Sequence, residues 1–558
     1  MKNTIFIALS VLFCGLKSIG QTPSWNFAAG GNSIAEAFGT TSDREGNFYV
    51  TGYYTGLLEL GGISVESAGG KDVFYAKFNA AGTLQWVKSA GGPEDDEGWS
   101  VIVDSNLNVF INGRFHGTAQ FGGSTVISNG MQDVFLLKAD SNGNTIWLKN
   151  GGGPYEEYVL QNSIAFNKYG NILMTGSYGG MTDSLGTSTF GAIHLNAYYP
   201  GGSDIFMAVY DYENGNVLSA KSAGGYRNDF GGSVSSDGAD NLYTGMVSSW
   251  TTHFDNDTVL CPISENGIYI VKYNDSNEVR WVNSIYLSGF GDIGASGCTD
   301  RDGNAYLCGT FYMAQLMVNE TVVATHPVPS LETGQDIFVS KFDSTGNHAW
   351  TLVLGGISYD IGEAISVDSL LNVYITGSYY WYVKFGPDTL LSDGDPDVFV
   401  AKYDKDGNFQ WVLSGSGSGF SEGTSIAVSP SGNEIYLAGR YSGPFTLGGY
   451  SFEGPATGTD MFVARISQPL SVGSSPQAQP TVTISPNPGS GQVKVSFETG
   501  SFSELSLKDM AGRTVYQTAI PAGVAALYPD VSQLPNGVYL LQLKGSKGAY
   551  TQKLIVQH

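Results

Sequence analysis

Residues 397–411, DVFVAKYDKDGNFQW, are the unit that this chain repeats. The stretch is an apolar β-type run, a polar turn of Asp, Gly and Asn, and a second run containing Trp, which is the grammar of a hairpin. Copies begin at Asp72, Asp133, Asp204, Gly267, Asp336, Asp397 and Asp460, spaced by 61, 71, 63, 69, 61 and 63 residues. Upstream of every copy stands a second hairpin, clearest in residues 365–377 (ISVDSLLNVYITG) and 101–113 (VIVDSNLNVFING). Each repeat therefore supplies four strands. One four-stranded unit cannot bury both its faces alone, so the expected form is radial: a β-propeller of seven four-stranded blades.

The ends of the array agree with that count. The last copy stops after Arg465 and Ile466 without a Trp strand, while SWNFAAGG (residues 24–31) matches the outer strand QWVKSAGG (residues 85–92). The first strand is thus expected to complete the last blade, which removes two exposed sheet edges.

With 558 residues, 42% hydrophobic composition, 76 Gly, 32 Tyr and 29 Phe, the chain suits a turn-rich all-β protein with a large core. Residues 1–20 read as an export signal: Lys2, an apolar run over 5–13, and small Ser18 and Gly20 before cleavage at Gln21. Leu12 and Phe13 are too bulky for lipid attachment at Cys14. No later run is long and apolar enough to span a bilayer as a helix. Cys261, Cys298 and Cys308 read as half-buried thiols, the last two lying diagonally across one hairpin rather than opposed. The net charge is −24; the segment from Pro476 onward carries +2 and Lys2 and Lys17 another +2, so the repeat region carries −28. Nucleic acid and anionic membranes are poor partners for such a surface, and cations, cationic proteins or neutral glycans better ones.

Composition changes at residues 468–480 (QPLSVGSSPQAQP), a linker by its Pro, Ser and Gln content. Beyond it, short alternating strands at Val493, Val495 and Phe497, at Leu505 and Leu507, and over 538–543, with turns at Gly512 and Gly548, predict a small β-sandwich. The expected organisation is a signal over 1–20, a propeller over 21–467, a linker over 468–480 and a terminal domain over 481–558.

Residues 484–488 (ISPNP), 509–515 (DMAGRTV), 534–543 (LPNGVYLLQL) and 553–556 (KLIV) resemble the type A sorting domain of the type IX secretion system. In this chain Pro486, Asn487, Pro488, Gly512, Gly537, Tyr539 and Lys553 carry the likeness. It implies export across an outer membrane by that machinery, removal of the domain, and either release or anchoring to surface lipopolysaccharide. Residues 25–466 resemble the bacterial SBBP β-propeller repeats, whose D, G, N, V-Y-V-T-G pattern is visible in residues 300–309 and 368–377. That likeness implies a fold rather than an activity. The fourth copy departs from it with Gly267 for Asp, and the third with Leu218 for Trp.

DKDGN (404–408) and DRDGN (300–304) imitate the start of an EF-hand loop but lack its twelfth-position Glu and flanking helices, so they read as turns. The spacing D-x-x-G-x-x-x-W is similar to the Asp-box of sialidase propellers without its Ser and Thr positions, and implies no activity. His116, His194, His253, His326 and His348 show no metal spacing, and no nucleophile elbow or phosphate loop is present. In a propeller the tight hairpin turns share one face, and the second-to-third loops and interblade connections share the other. That second face carries the aromatics, above all Tyr379, Tyr380, Trp381, Tyr382 and Trp250. They would stack on a glycan or protein partner, or wedge between blades. Counting eight residues back from each first-hairpin Asp, or from Pro430, selects Asp96, Asp229, Asp292, Asp360 and Glu422, with Glu156 and Glu157 nearby. These acids either cap their own Gly-rich connections or ring a channel mouth as a weak calcium site; no other cofactor is implied. The function expected is a monomeric, exported, non-catalytic binding or adhesion module for glycan or protein. The alternatives are a polysaccharide hydrolase or lyase working at the channel mouth, and a structural surface-layer role.

Overall fold

Two compact units, Met1–Pro469 and Leu470–His558, divide the computed structural model. The structure describes all residues except 1–21, 30–33, 180–184, 238–240, 250, 255–256, 261–265, 275–277, 288–294, 313–314, 320, 326–333, 357, 393–394, 448–449, 456–457, 469–481, 498, 501, 509–512, 522 and 546–547. The signal, its cleavage point, Trp250, Cys261, Asp292, Gly512 and nearly all of the linker therefore lie outside the described residues.

Within the first unit the repeats fold as antiparallel sheets, seven among the described residues. The sixth shows why the motif folds as it does. Asp397–Tyr403 pairs with Phe409–Gly417 so that Lys402 faces Trp411, and Asp368 and Asp404 close the two turns. Asp368 uses both carboxylate oxygens there. It accepts the Leu370 and Asn372 amides at 2.8 and 2.9 Å, the Asn372 side chain at 2.8 Å and the Tyr374 hydroxyl at 2.9 Å. Asp43 and Asp300 repeat this set with Asn47 and Tyr49, and with Asn304 and Tyr306. The turn carboxylates are thus saturated by their own loops.

The Trp and Lys of the motif explain how one sheet grips the next. Lys341 Nζ and Trp350 Nε1 both donate to the Lys405 carbonyl, at 3.0 and 3.2 Å. Lys138 and Trp147 converge in the same way on the Tyr212 carbonyl at 2.9 and 3.3 Å, and Lys272 and Trp281 on that of Ser344 at 2.8 and 3.5 Å. Each ammonium also sits over a Tyr ring of its own sheet or of the next turn, as Lys341 does over Tyr306 at 5.2 Å. The turn glycine lies under the indole: Gly346 has φ +92°, and a Cβ there would stand 3.0 Å from the Trp281 ring.

First strands of successive sheets lie side by side in chain order, and Ser421–Val428 returns to Ala35–Ser42. Thr40 Oγ1 and Ser425 Oγ are 2.9 Å apart across that junction, and Tyr436, Ala438, Met461 and Val463 share a core with Phe48, Tyr54 and Phe74. Thr22–Ala29 pairs antiparallel with Asp460–Ser467, Trp25 opposite Arg465, as the match to residues 85–92 foretold. Deleting residues 22–29 should lower the melting temperature of the first unit by on the order of 5 °C and promote association through the bared edge, measured by thermal unfolding and light scattering. An unchanged melt would show that this pairing contributes nothing to stability.

Five of the sheets contain two more strands than the four expected. Short hairpins such as Tyr382–Phe385 with Asp388–Leu391 arise between the second and third strands of one repeat and add to the outer strand of the preceding sheet, here His348–Gly356. They cover an edge that would otherwise stay open. Cys298 faces Tyr306 and Cys308 faces Ser296, so these two thiols are diagonal and unbonded.

The second unit has a three-stranded sheet of Thr483–Ser485, Lys494–Ser496 and Ala526–Leu527, and a four-stranded sheet of Thr514–Ala519, Glu504–Lys508, Gly537–Gly545 and Gly548–Val556. Val493, Val495, Leu505, Leu507, Leu541, Leu543 and Leu554 fill the core between them.

Candidate functional site

Five of the innermost strands, the first of each sheet, share a distortion. Register slips between Ala37 and Gly39, Gly98 and Ser100, Gly231 and Ser233, Gly362 and Ala364, and Gly423 and Ser425. The bulged residues are Phe38, Trp99, Gly232, Glu363 and Thr424. Crowding accounts for the small residue beside each bulge: a Cβ on Gly98 or Gly423 would meet Thr51 Oγ1 or Thr376 Oγ1 of the preceding sheet at 2.3 or 2.1 Å.

Around the bulges polar and aromatic groups from several sheets converge. Phe38 and Trp99 stack with centroids 4.3 Å apart, and the Arg114 guanidinium lies 4.7 Å from the Trp99 ring and 5.3 Å from that of Tyr158. Glu97 is bonded by Lys71 at 2.7 Å, by Trp99 Nε1 at 3.2 Å and by Arg114. Burial pushes the Glu97 carboxyl upward, but Arg114 and Lys71 outweigh it and hold the group below its usual range. Arg440 bridges Glu422 at 2.7 Å and Glu36 at 2.9 Å. Tyr53 joins the two groups: it packs on Phe38 at 5.6 Å, lies under Lys71 at 4.1 Å, and feels Glu36, Glu97 and Arg440. Glu363 completes the set. Burial and the neighbouring Glu422 push its carboxyl to about 8, against the opposing pull of Arg440.

The acids singled out by spacing sit elsewhere. Asp96, Asp229 and Asp360 are buried, and each accepts the amide four residues back, from Gly92, Gly225 and Gly356 at 2.6, 2.6 and 2.8 Å. Glu422 does not belong to their row. The amide-to-carbonyl bond that closes the turn starts from Ser429, not Pro430, because the turn to Glu434 holds one extra residue. Ser421 therefore aligns with Asp96, and Glu422 with Glu97 and Glu36. Among the described residues no three His, Cys, Asp or Glu side chains gather as a metal-binding group.

Of the aromatics, Tyr379 is fully buried, as are Tyr54, Phe115, Tyr178 and Phe311, which wedge within and between sheets. Tyr380 and Tyr382 are half-buried. Trp381 is 57% exposed at a left-handed turn position (φ +68°), its amide and carbonyl tied to Ser392 at 2.8 and 2.7 Å. Sequence reasoning missed Phe38, Trp99, Arg114 and Arg440. The available signal was an Arg directly after the second strand's Gly at 113 and 439, mirrored by a Glu directly before the first strand's Gly at 98 and 423.

In the second unit, distant motif residues meet. Asn487 Oδ1 accepts the Ile555 amide at 2.8 Å, Gly489 pairs with Ile555 and Gln557, and Tyr539 donates to the Pro535 carbonyl at 2.8 Å. Gly537 opens the strand that carries Tyr539, and Lys553 lies on the strand beside it, opposite Leu540.

Comparison with known proteins assigns these parts. Residues 483–557 match the secretion system C-terminal sorting domain, and residues 349–378 match the β-propeller repeat SBBP. The chain thus carries a β-propeller repeat and a C-terminal sorting domain that indicates export by type IX secretion to the cell surface or medium. It is 21% identical over 505 residues to an uncharacterized WD repeat-containing protein of Acanthamoeba polyphaga mimivirus, covering 75% of this chain and 36% of that protein. The chain spans about a third of the length of that curated relative. A protein of unknown function from Dyadobacter fermentans aligns over 81% of this chain and 100% of its own, with TM-score 0.36 and 7% identity. A member of the DUF4221 family from Bacteroides vulgatus aligns over 80% and 97%, with TM-score 0.28 and 11% identity.

Proposed function

We propose that the chain is a seven-bladed β-propeller followed by a linker over 468–480 and a small β-sandwich sorting domain, and that the propeller is an extracellular glycan-binding module. The observation that carries the binding site is the cluster at the innermost strands. Trp99 and Tyr158 are half-buried rings at this cluster, Trp99 backed by the buried Phe38, while Glu36, Glu97, Glu422, Arg114 and Arg440 supply paired, oriented donors and acceptors. Rings that stack on sugar faces beside fixed hydrogen-bonding groups are the combination that neutral polyols require. The strongly acidic surface favours neutral or cationic glycans over anionic ones.

A glycan-array screen with the purified first unit tests this. Arg114→Met keeps an apolar stem beside Trp99 but removes the guanidinium, and should weaken binding by about tenfold or more, the loss of a charge-assisted bond. Trp381→Ala should leave binding unchanged. The opposite pattern would move the site to residues 379–382, and binding to proteins but to no glycan would change the ligand class.

One observation favours the hydrolase reading: Glu363, raised to about 8, stands near Glu422, which keeps Arg440 as its partner at 2.7 Å. Two carboxyl groups in environments this different suit an acid and a charged partner. Release of reducing ends from polysaccharides, abolished in Glu363→Gln, would support that reading.

A further inference from the structure

The connection into the third repeat differs from its counterparts by one methylene group. Where Asp96, Asp229 and Asp360 cap the Gly amide four residues back, the chain has Glu157, four residues after Gly153. The backbone position is the same: the Glu157 amide bonds the Gln132 carbonyl at 2.9 Å, as those of Asp96 and Asp229 bond Lys71 and Ser203 at 2.7 Å. The longer side chain does not end on the amide. Both Glu157 carboxylate oxygens are buried without completing a hydrogen bond, and so are Asp133 Oδ1 and Ser188 Oγ. The three residues are 0%, 0% and 1% exposed.

These oxygens share one place. Gln132, next to Asp133, also holds the Glu157 carbonyl through Nε2 at 2.8 Å. The Asp133 carboxylate covers Gly152, where a Cβ would meet it at 2.1 Å, and Gly152 pairs with Thr189, the neighbour of Ser188. Asp133 and Glu157 repel each other, and the Gly153 amide and Ser188 hydroxyl come close enough to Glu157 to offset part of its burial penalty without bonding it. The other Asp133 oxygen is satisfied by the Asn129 amide and side chain, each at 3.0 Å.

Leaving four such oxygens unmet in a protein interior is costly. One proton on Glu157 would add one donor to that of the Ser188 hydroxyl and leave the Asp133 charge buried, and one water would leave both negative charges uncompensated. A hard divalent cation answers all four, because carboxylate and hydroxyl oxygens are the donors it prefers. We propose that Asp133, Glu157 and Ser188 form a calcium site that ties the second repeat to the third. With two carboxylates rather than three or four, its affinity falls near that of extracellular calcium modules, on the order of 0.1–1 mM.

The full-length chain, stripped with EDTA and dialysed, should bind one calcium ion in isothermal titration, and saturating calcium should raise its melting temperature by on the order of 3 °C, with magnesium much weaker. Glu157→Asp rebuilds the amide cap of the other connections, and should keep the calcium-free melting temperature while weakening calcium binding at least tenfold. Ser188→Ala should keep the fold and weaken binding less. No heat and no thermal response in the native chain would overturn the site and leave a shared proton or trapped water. An equal response in the native chain and Glu157→Asp would overturn it too, by placing calcium elsewhere.

Discussion

A chain truncated before residue 483 should fail to reach the cell surface or medium, and should instead accumulate folded in the periplasm. Residues 483–557 are the part that matches the sorting domain, and they have a core of their own, in which Val493, Val495, Leu505, Leu541 and Leu554 are fully buried. Removing them therefore takes away an address without opening the core of the first unit, whose fold should survive. Fractionation followed by thermal unfolding of the trapped material separates loss of address from loss of fold. A finer version targets the joint between the two ends of the domain. Asn487→Ala removes the acceptor of the Ile555 amide at 2.8 Å and should lower export while leaving the first unit's melt unchanged. Surface recovery of the truncated chain at the native level would refute the assignment of these residues as the address. Mass spectrometry of exported material that found residues 534–543 still attached to most molecules would contradict removal of the domain.

What could be read in the sequence depended on how local the cause was. Hairpin pairing is local: Asp-Gly-Asn turns and flanking apolar runs place Lys402 opposite Trp411, and Cys308 opposite Ser296 and so diagonal to Cys298, without reference to the rest of the chain. The pairing of residues 22–29 with Asp460–Ser467 is distant, yet legible because a missing Trp strand at one end matched a surplus one at the other. The extra hairpins were read as loops. Runs such as Tyr382–Phe385 are four residues long and owe their stability to the outer strand of the preceding sheet rather than to their own pattern. The inner cluster was missed for a related reason. Arg114 and Arg440 are isolated cations in sequence, and only the side-by-side arrangement of the innermost strands brings Arg440 to Glu36, 404 positions away. The assignment of Glu422 to the Asp96 row failed on one inserted turn residue, which made Pro430 rather than Ser429 the residue counted back from.

Raising the pH from 6 to 9 should lower the melting temperature of the first unit by on the order of 10 °C, with EDTA present throughout to exclude bound cations. The cause is a set of carboxyl groups buried between neighbouring sheets. Burial pushes Asp96 and Asp204 to about 8, and Asp72 and Asp229, respectively, add to the push. Asp360 reaches about 9 by burial and by the facing Asp336, which itself stands at about 7 through burial. In the unfolded chain such groups titrate near 4, so between about pH 4 and 9 the folded state binds more protons than the unfolded state. Stability from these groups is therefore full below about pH 4 and is lost as the pH rises through 7 to 9, each unit of difference being worth about 1.4 kcal/mol. Glu97 and Asp343 act in the opposite sense. Arg114 and Lys71 outweigh burial to lower Glu97, and hydrogen bonds from Thr345 and Asn347 outweigh a small burial penalty to bring Asp343 to about 2. Their contribution is lost only on acidification below about pH 4, which leaves an optimum near pH 4 rather than at neutrality. Asp360→Asn isolates one member of the set, since an amide oxygen can still accept the Gly356 amide now held at 2.8 Å but cannot ionise. That variant should melt close to the native protein at pH 6 and above it at pH 9. A native melting temperature that is flat or rising over this range would mean that water or counter-ions reach these carboxylates and that their burial does not govern stability.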